Sequence, residues 1–278
     1  MNDRSMPYLF DDPRDELAIE SDLTLLAEAE WLIVALDFDG TLAPIVQHPE
    51  DARMHPAARN AITALLNSHN TVVALVSGRA ITSLKQVANP DPRIVLIGSH
   101  GAEFESAEQA VLPAEGVLTE LIASLQSALV EFPGIFIEQK PYGVAVHFRN
   151  VDPDHQAEVQ AILAEHVLVY PMLMTRTAKM VLEFSSSHAD KGDSLRMLSA
   201  QYPGAALFFA GDDLTDEDVF QVLPELSPIH LGIKIGLGDT RARYRLETLE
   251  QLPYILSRLD ELRTLRPQYG LTNPADSV

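Results

Sequence analysis

Four short stretches place acidic, hydroxyl and cationic residues where they could do chemistry. LDFDGTL at 36–42 sets Asp37 and Asp39 two positions apart, followed by Gly40 and Thr41. GDDLTDEDVF at 211–220 puts Asp212 and Asp213 ahead of a further acidic run. VSGR at 76–79 offers Ser77, Gly78 and Arg79, and DKGDSL at 190–195 offers Lys191. A carboxylate can attack phosphorus, and a second one nearby can carry a proton. Clustered carboxylates repel unless a cation holds them. The chain has no cysteine, and no histidine lies within the acidic stretches. The donor set is therefore oxygen only, which suits Mg2+. Ser77, Arg79, Lys191 and backbone N–H groups supply the anion-binding half of such a site. These are the parts that phosphoryl transfer requires.

Other readings compete for the same residues. A calcium loop also begins D-x-D, but it needs glycine at its sixth position and further oxygen ligands. Here the glycine is fourth and the flank is an apolar strand. No G-x-x-x-x-G-K-[ST] stretch occurs, which disfavours a P-loop kinase. Asp-x-Asp-Gly alone could be a solvated turn, SGR a simple strand-to-helix turn, and Lys191 a surface lysine. In the acidic run, Thr215 is expected to cap a helix whose dipole Asp216, Glu217 and Asp218 complement. That leaves Asp212 and Asp213 as the candidates there.

The positions of these stretches follow from the elements around them. WLIVALDF, TVVALVSG, RIVLIGS, AALFFAGDD and PIHLGIKIG read as buried strands, separated by amphipathic helical segments. Each candidate stretch sits at a strand's carboxyl end or at the start of the helix after it. That is the edge where open parallel sheets bind ligands. Between about 110 and 187 the rhythm changes. Two helical segments, 115–132 and 152–167, alternate with the strand pairs of IFIEQKPYGVAVHFRN and MLMTRT…AKMVLEFS. The expected fold class is α/β: a parallel-sheet, Rossmann-like core with an inserted α+β cap. Expected boundaries are an N-terminal arm at 1–24, a core at 25–110 and 188–265, a cap at 111–187 and a tail at 266–278. Within the arm, DLTLLAEAEW is expected to open a short helix capped by Ser21 or Asp22. With a period of two, Glu138 and Lys140 point to one side of their strand and Lys179, Val181 and Glu183 to one side of theirs, which gives the cap sheet one charged face and one apolar face. Cap motion on hinges near 107–113 and 185–190 is expected.

The chain has 278 residues, 46% of them hydrophobic, enough for one large domain or two small ones. Forty acidic against 20 basic residues leave a net charge of −20, which disfavours nucleic acid and anionic membranes as partners. The amino terminus lacks the basic-then-apolar order of a signal peptide, and no apolar run reaches a membrane-spanning length. A cytoplasmic monomer is expected.

Taken in order, these motifs resemble the haloacid-dehalogenase-like phosphatases, and more closely the trehalose-6-phosphate phosphatase family. The closer likeness rests on LDFDGTLAPI, LVSGR, GSHGAE, IEQKPYGVAVHFR, KMVLEFS with DKGDSL, and GDDLTDEDVF. It covers the insertion as well as the core. The chain departs from the family in having Phe184 and a serine run after Glu183, where arginine and proline are common. The resemblance implies hydrolysis of a phosphorylated disaccharide through an aspartyl-phosphate. Asp37 would be the nucleophile and Asp39 the general acid and base. Mg2+ would be held by Asp37, the Asp39 carbonyl and Asp212, with Asp213 nearby. Thr41, Ser77, Gly78, Arg79 and Lys191 would bind the phosphoryl group. Glu138, Lys140 and Glu183, with His100 and Gly101 at the junction, would meet the sugar. The remaining alternatives are phosphatases for sucrose phosphate or mannosyl-phosphoglycerate, a transferase using the same intermediate, and a non-catalytic sugar-phosphate sensor.

Overall fold

The computed structural model describes residues 13–105, 115–178, 180–187 and 190–265. The core carries α1 (Pro13–Glu28), β1 (Leu32–Leu36), α2 (Pro56–Leu65), β2 (Thr71–Val76), α3 (Ile81–Ala88), β3 (Val95–Gly98) and β4 (Glu103–Phe104). The cap contributes α4 (Glu115–Ala128), β5 (Phe136–Lys140), β6 (Gly143–His147), α5 (Pro153–Val169), β7 (Met174–Ala178) and β8 (Val181–Ser185). The chain then returns to the core with α6 (Lys191–Ala200), β9 (Ala206–Gly211), α7 (Glu217–Leu226), β10 (His230–Ile235), β11 (Tyr244–Leu246) and α8 (Leu252–Leu265).

The core sheet runs β11-β10-β9-β1-β2-β3-β4 and is parallel except for its β3–β4 edge pair. β1 lies between β2 and β9, so the strand before Asp37 is paired on both sides. Its residues alternate between two cores. Leu32, Val34 and Leu36 pack on one face, Ile33 and Ala35 on the other. Phe208 and Phe209 of β9 split in the same way, and burying each contributes about 1.5–3 kcal/mol. Apolar side chains on both faces explain why these strands read as continuous hydrophobic runs.

The cap sheet has the order β5-β6-β8-β7 and is antiparallel throughout. Val144, Val146 and Phe184 pack beneath it with Leu121, Leu125, Val159 and Leu163 of α4 and α5. On the other face, register places Glu138, Ala145, Glu183 and Arg176 in one row across all four strands. The central Ala145 and Gly143 are small, which leaves room above β6 for the charged side chains of its neighbours.

Two expectations change here. Residues 13–24 of the anticipated arm belong to α1, which runs on to Glu28, so the helix opens at Pro13 and not at Ser21 or Asp22. Its Ile19, Leu23, Leu26 and Ala27 are buried, and the helix packs on α8. This i, i+4, i+7, i+8 stripe is one helical face, hidden in the sequence by the acidic residues between. Arg263 of α8 is buried against the carbonyls of Ala27, Ala29 and Asn70, tying that helix to the ends that lead into β1 and β2. The edge strands β4 and β11 are too short to show a pattern in sequence. Lys179, the 107–113 hinge, residues 188–189 of the second hinge, the first 12 residues and the tail from 266 lie outside the described residues. Among the described residues no helix is long and apolar enough to cross a membrane.

Candidate active site

The site forms where β1 and β9 end side by side. Asp37 directly follows β1, and its backbone N–H donates to the Ala210 carbonyl at 3.0 Å. Gly40 turns the chain with φ +88°, and a Cβ there would lie 2.1 Å from Asp212 Oδ2. Only glycine lets the two acidic turns approach so closely. Lys191 opens α6, whose N-cap Asp190 accepts from the Asp193 N–H. A cation at a helix N-terminus opposes the dipole, so its placement needs a local reason. Its partners supply one: Lys191 Nζ donates to Asp37 Oδ1 at 2.7 Å and to Asp216 Oδ1 at 2.8 Å, with only 2% of the side chain exposed.

Asp216 corrects the sequence reading. It is fully buried, makes no cap hydrogen bond to α7, and accepts from Lys191 and from the Asp213 N–H. Thr215 does not cap that helix either; its N–H and hydroxyl both donate to Asp213 Oδ1. The acidic run that looked like dipole compensation is a folded turn inserted into the site. The sole hint in sequence was a surplus of carboxylates over what one helix end needs. Lys234 was also missed. It is buried near the end of β10, and its ammonium donates to the Asp212 and Asp213 carbonyls, fastening the turn from below.

Carboxylate oxygens of Asp37, Asp212 and Asp216 lie within 4.8 Å of one another. The set expected from sequence was Asp37, Asp39, Asp212 and Asp213. Asp39 belongs to that set through its backbone carbonyl, which leaves its carboxylate to Arg79; the Asp213 carboxylate is engaged by Thr215, and Asp216 is the third carboxylate of the cluster. Asp37 Oδ2 and Asp212 Oδ1 are buried without a hydrogen-bond partner. Burial is the largest influence pushing the Asp37 carboxyl well above its usual range; Lys191 opposes it, and Asp216, Asp212 and Asp213 add to it. Asp212 is pushed up to about 7 by burial and then by Asp216 and Asp213. For Lys191, burial acts downward, but Asp216 and Asp37 outweigh it and hold the ammonium charged. The cluster thus carries more negative charge than its lysine balances. The orphaned Asp212 oxygen, in an oxygen-only set short of positive charge, fits a hard divalent cation.

Arg79 grips Asp39 with two hydrogen bonds of 2.6 Å, from Nε and Nη2, and its guanidinium lies over the Phe38 ring. Ser77 is buried and its hydroxyl accepts from the Arg79 N–H at 3.1 Å. Thr41 is buried with its hydroxyl unpartnered.

A cavity of about 570 Å³ opens between core and cap. Asp37, Asp39, Ser77, Gly78, Arg79 and Lys191 line its floor, and Glu138 and Lys140 its roof. Glu138 accepts from His147 at 2.9 Å; burial would raise its pKa, but that bond and Lys140 hold it below the usual value. Lys140 bridges to Glu183 at 2.9 Å and to the Gly78 carbonyl at 3.3 Å. Glu183 also meets His100 Nε2 at 3.4 Å, and the burial that would raise its pKa is overcome by His100 and Lys140, leaving it at about 2. Burial, the largest influence on His100, holds its pKa below the ordinary value. His100 lines the cavity, whereas Glu183, Gly101, Thr41 and Asp212 stand behind its wall. Phe136, Arg149 and the 45–50 loop also line it. Nothing in the sequence of that loop separates it from an ordinary strand-to-helix connection.

Residues 35–248 match the trehalose-phosphatase family. The chain belongs to that family. It is 29% identical over 257 residues to the trehalose-6-phosphate phosphatase of Escherichia coli K12, covering 91% of this chain and 93% of that one. It is 31% identical to the probable trehalose-phosphate phosphatase H of Arabidopsis thaliana, over 87% of this chain and 75% of the relative. Among solved structures, a trehalose-6-phosphate phosphatase related protein superposes with a TM-score of 0.70 at 26% identity, over 84% of this chain and 98% of the other. The C-terminal domain of the Candida albicans trehalose-6-phosphate phosphatase reaches 0.76 at 21% identity, over 94% and 99%, a likeness of fold. The antiparallel second sheet of this trehalose-phosphatase family member fits the cap domain expected from sequence.

Proposed function

We propose that the chain is a Mg2+-dependent phosphatase that hydrolyses trehalose 6-phosphate to trehalose and phosphate. The observation that carries the reading is Asp37. One oxygen is fixed by Lys191, the other is buried without a partner, and the residue lines a cavity that Asp39 and the charged cap face share. Fixing one oxygen leaves a single atom free to attack, which is the orientation a carboxylate nucleophile needs.

Asp37 Oδ2 attacks phosphorus, and the bond to the sugar oxygen breaks. Asp39 gives that oxygen its proton, so the sugar leaves as an alcohol. Asp39 then takes a proton from water as the water attacks the aspartyl-phosphate, and inorganic phosphate departs with Asp37 restored. Asp39 must give up one of its two bonds to Arg79 for either transfer. Lys191 and the Ser77–Arg79 turn hold the phosphoryl oxygens, and the unpartnered Thr41 hydroxyl behind the cavity wall is free to join them. Asp37, Asp212 and the Asp39 carbonyl would hold Mg2+, with Asp213 and Asp216 around them. Once bound, the cation screens these carboxylates from the substrate dianion. Glu138 and Lys140 face the sugar, and Glu183 supports Lys140 from behind.

The test is phosphate release from a panel of sugar phosphates, with Mg2+ and in excess chelator. Trehalose 6-phosphate should be the best substrate, chelator should silence turnover, and added Mg2+ should restore it. Equal rates on sucrose phosphate, or undiminished activity in chelator, would contradict the reading.

A further inference from the structure

Glu103 belongs to the GSHGAE stretch, and the chemistry above leaves it unused. It is a buried carboxylate, 3% exposed, that forms no ion pair among the described residues. Its two oxygens serve two turns. Oε1 accepts from the Ser99 hydroxyl at 2.5 Å, and Oε2 accepts from the Ile81 N–H at 3.3 Å. Ile81 is the first residue of α3, and Ala80 at its N-cap has no side chain able to cap it. A carboxylate from β4 thus does the capping that the local sequence omits, at the end of the helix that favours negative charge.

The turn on the other side is strained. Ser99, His100 and Gly101 have φ of +49°, +55° and +104° in succession. Non-glycine residues stay in the left-handed region only where their surroundings hold them there. Backbone bonds do part of this: the Ser99 N–H donates to the Arg79 carbonyl at 2.7 Å, and the His100 N–H to the Ser77 carbonyl at 3.0 Å. The His100 ring then lies directly over Gly78, where a Cβ would fall 2.5 Å from it. Two turns are thereby laced together. One carries Ser77 and Arg79 on the phosphate side, the other carries His100 at the cavity wall facing Glu183.

We infer that Glu103 is a positioning residue that sets His100 against the sugar side of the cavity and the Ser77–Arg79 turn against the phosphate side. It acts through hydrogen bonds to Ser99 and Ile81 and touches neither the substrate nor the cation. This rests on the functional reading above, because it takes His100 to face the sugar. A carboxylate suits the position because it accepts from both donors at once. Glutamine can reproduce both bonds, its amide oxygen accepting from Ile81 and its NH2 donating to the Ser99 hydroxyl. Alanine can reproduce neither.

The test is kcat and KM for E103A, E103Q and S99A on trehalose 6-phosphate and on p-nitrophenyl phosphate, with melting curves for each. Inactivity of the unaltered chain on trehalose 6-phosphate alone would overturn the functional reading and would be visible before any variant is examined. S99A cuts only the bond to the His100 turn. It should lose on the order of ten-fold in kcat/KM on trehalose 6-phosphate, and several-fold less on the aryl phosphate. E103A should lose activity on both substrates, by roughly 100-fold on the disaccharide. E103Q should recover to within about five-fold of the parent. The proposal fails if S99A loses equally on both substrates or on neither. It also fails if E103Q is as impaired as E103A while melting like the parent, since the charge and not the bonding would then matter. Should E103A not fold, S99A and E103Q decide the matter.

Discussion

Two ion pairs of the cavity, Lys191–Asp37 in its floor and His147–Glu138 in its roof, hold their charges in opposite ways, while Arg79–Asp39 and Lys140–Glu183 are intermediate. On the core side, the side chains of Lys191 and Asp37 are 2% and 6% exposed, and both are locked to groups on other elements. On the cap side, His147 and Glu138 are 25% and 28% exposed on an open antiparallel face. A buried charge cannot trade its partner for water, so the core network keeps one geometry. A half-exposed pair can exchange a partner for a sugar hydroxyl at small cost. On the proposed function, the buried Lys191–Asp37 pair serves the reaction and the more exposed His147–Glu138 pair the choice of substrate. The two meet where Lys140 reaches the Gly78 carbonyl and where Glu183 meets His100.

The largest expected effect lies on the floor. Asp37→Asn should reduce turnover to background on every phosphate ester, because an amide cannot form the acyl phosphate. Phosphate release, with mass spectrometry to exclude deamidation, measures it. Activity near that of the parent would sink the proposed mechanism and with it the division of labour.

Removing a carboxylate behind the floor tests whether the network is sealed. Asp216→Ala leaves Lys191 buried with one partner and should cost about 3 kcal/mol of stability. Asp218→Ala, two residues further along the same acidic run, should cost about 0.5 kcal/mol through the α7 dipole. Unfolding in urea compares the two. Equal small losses would mean that Asp216 only compensates a helix end, as its position in the sequence suggested.

The roof should respond selectively. Glu138→Ala and Lys140→Ala should each lower kcat/KM for trehalose 6-phosphate by about 10- to 150-fold, the loss of one hydrogen bond to a charged group. Turnover of a small aryl phosphate should change little. Parallel losses on both substrates would place these residues with the chemistry, and no loss on either would make the charged face mere solvated surface.

The smallest effect concerns pH. Glu183 is held at about 2, well below the roughly 4.3 of a free glutamate. A depressed carboxyl pKa contributes stability that is complete above the unfolded value and disappears as pH falls through the folded one. The melting-temperature gap between the parent and Glu183→Gln should therefore be constant above about pH 5 and shrink progressively from about pH 4 toward 2. A gap that does not depend on pH would show that the carboxylate is not tied to Lys140 and His100 as described.

Much of the core was legible because a parallel sheet covered on both faces writes continuous apolar runs, and its ligand edge is where those runs end. Asp37, Ser77 and Asp212 could be placed at that edge from strand boundaries, and Lys191 from the start of its helix. The charged cap face followed from a period of two on β5 and β8. Gln139 separates Glu138 from Lys140 on β5 and Glu183 lies far along the chain on β8, yet the three flank Ala145 and Gly143 across the sheet.

What sequence could not decide is which carboxylate does what once the chain folds. Asp216 and Asp218 look alike in TDEDVF, but only Asp216 turns inward to meet Lys191 from 25 residues away. Asp39 was chosen as a proton carrier, and nothing near it announced that Arg79, 40 residues on, would hold both of its oxygens. Glu103 accepts from Ile81, 22 residues away, as well as from the nearby Ser99, and Lys234 donates to carbonyls 21 and 22 residues away. Local pattern reports what a residue could do, since propensity and periodicity act within a few positions. Partner identity is a long-range property. It is set when the sheet brings separate strand ends together and burial removes the water that would otherwise satisfy each charge.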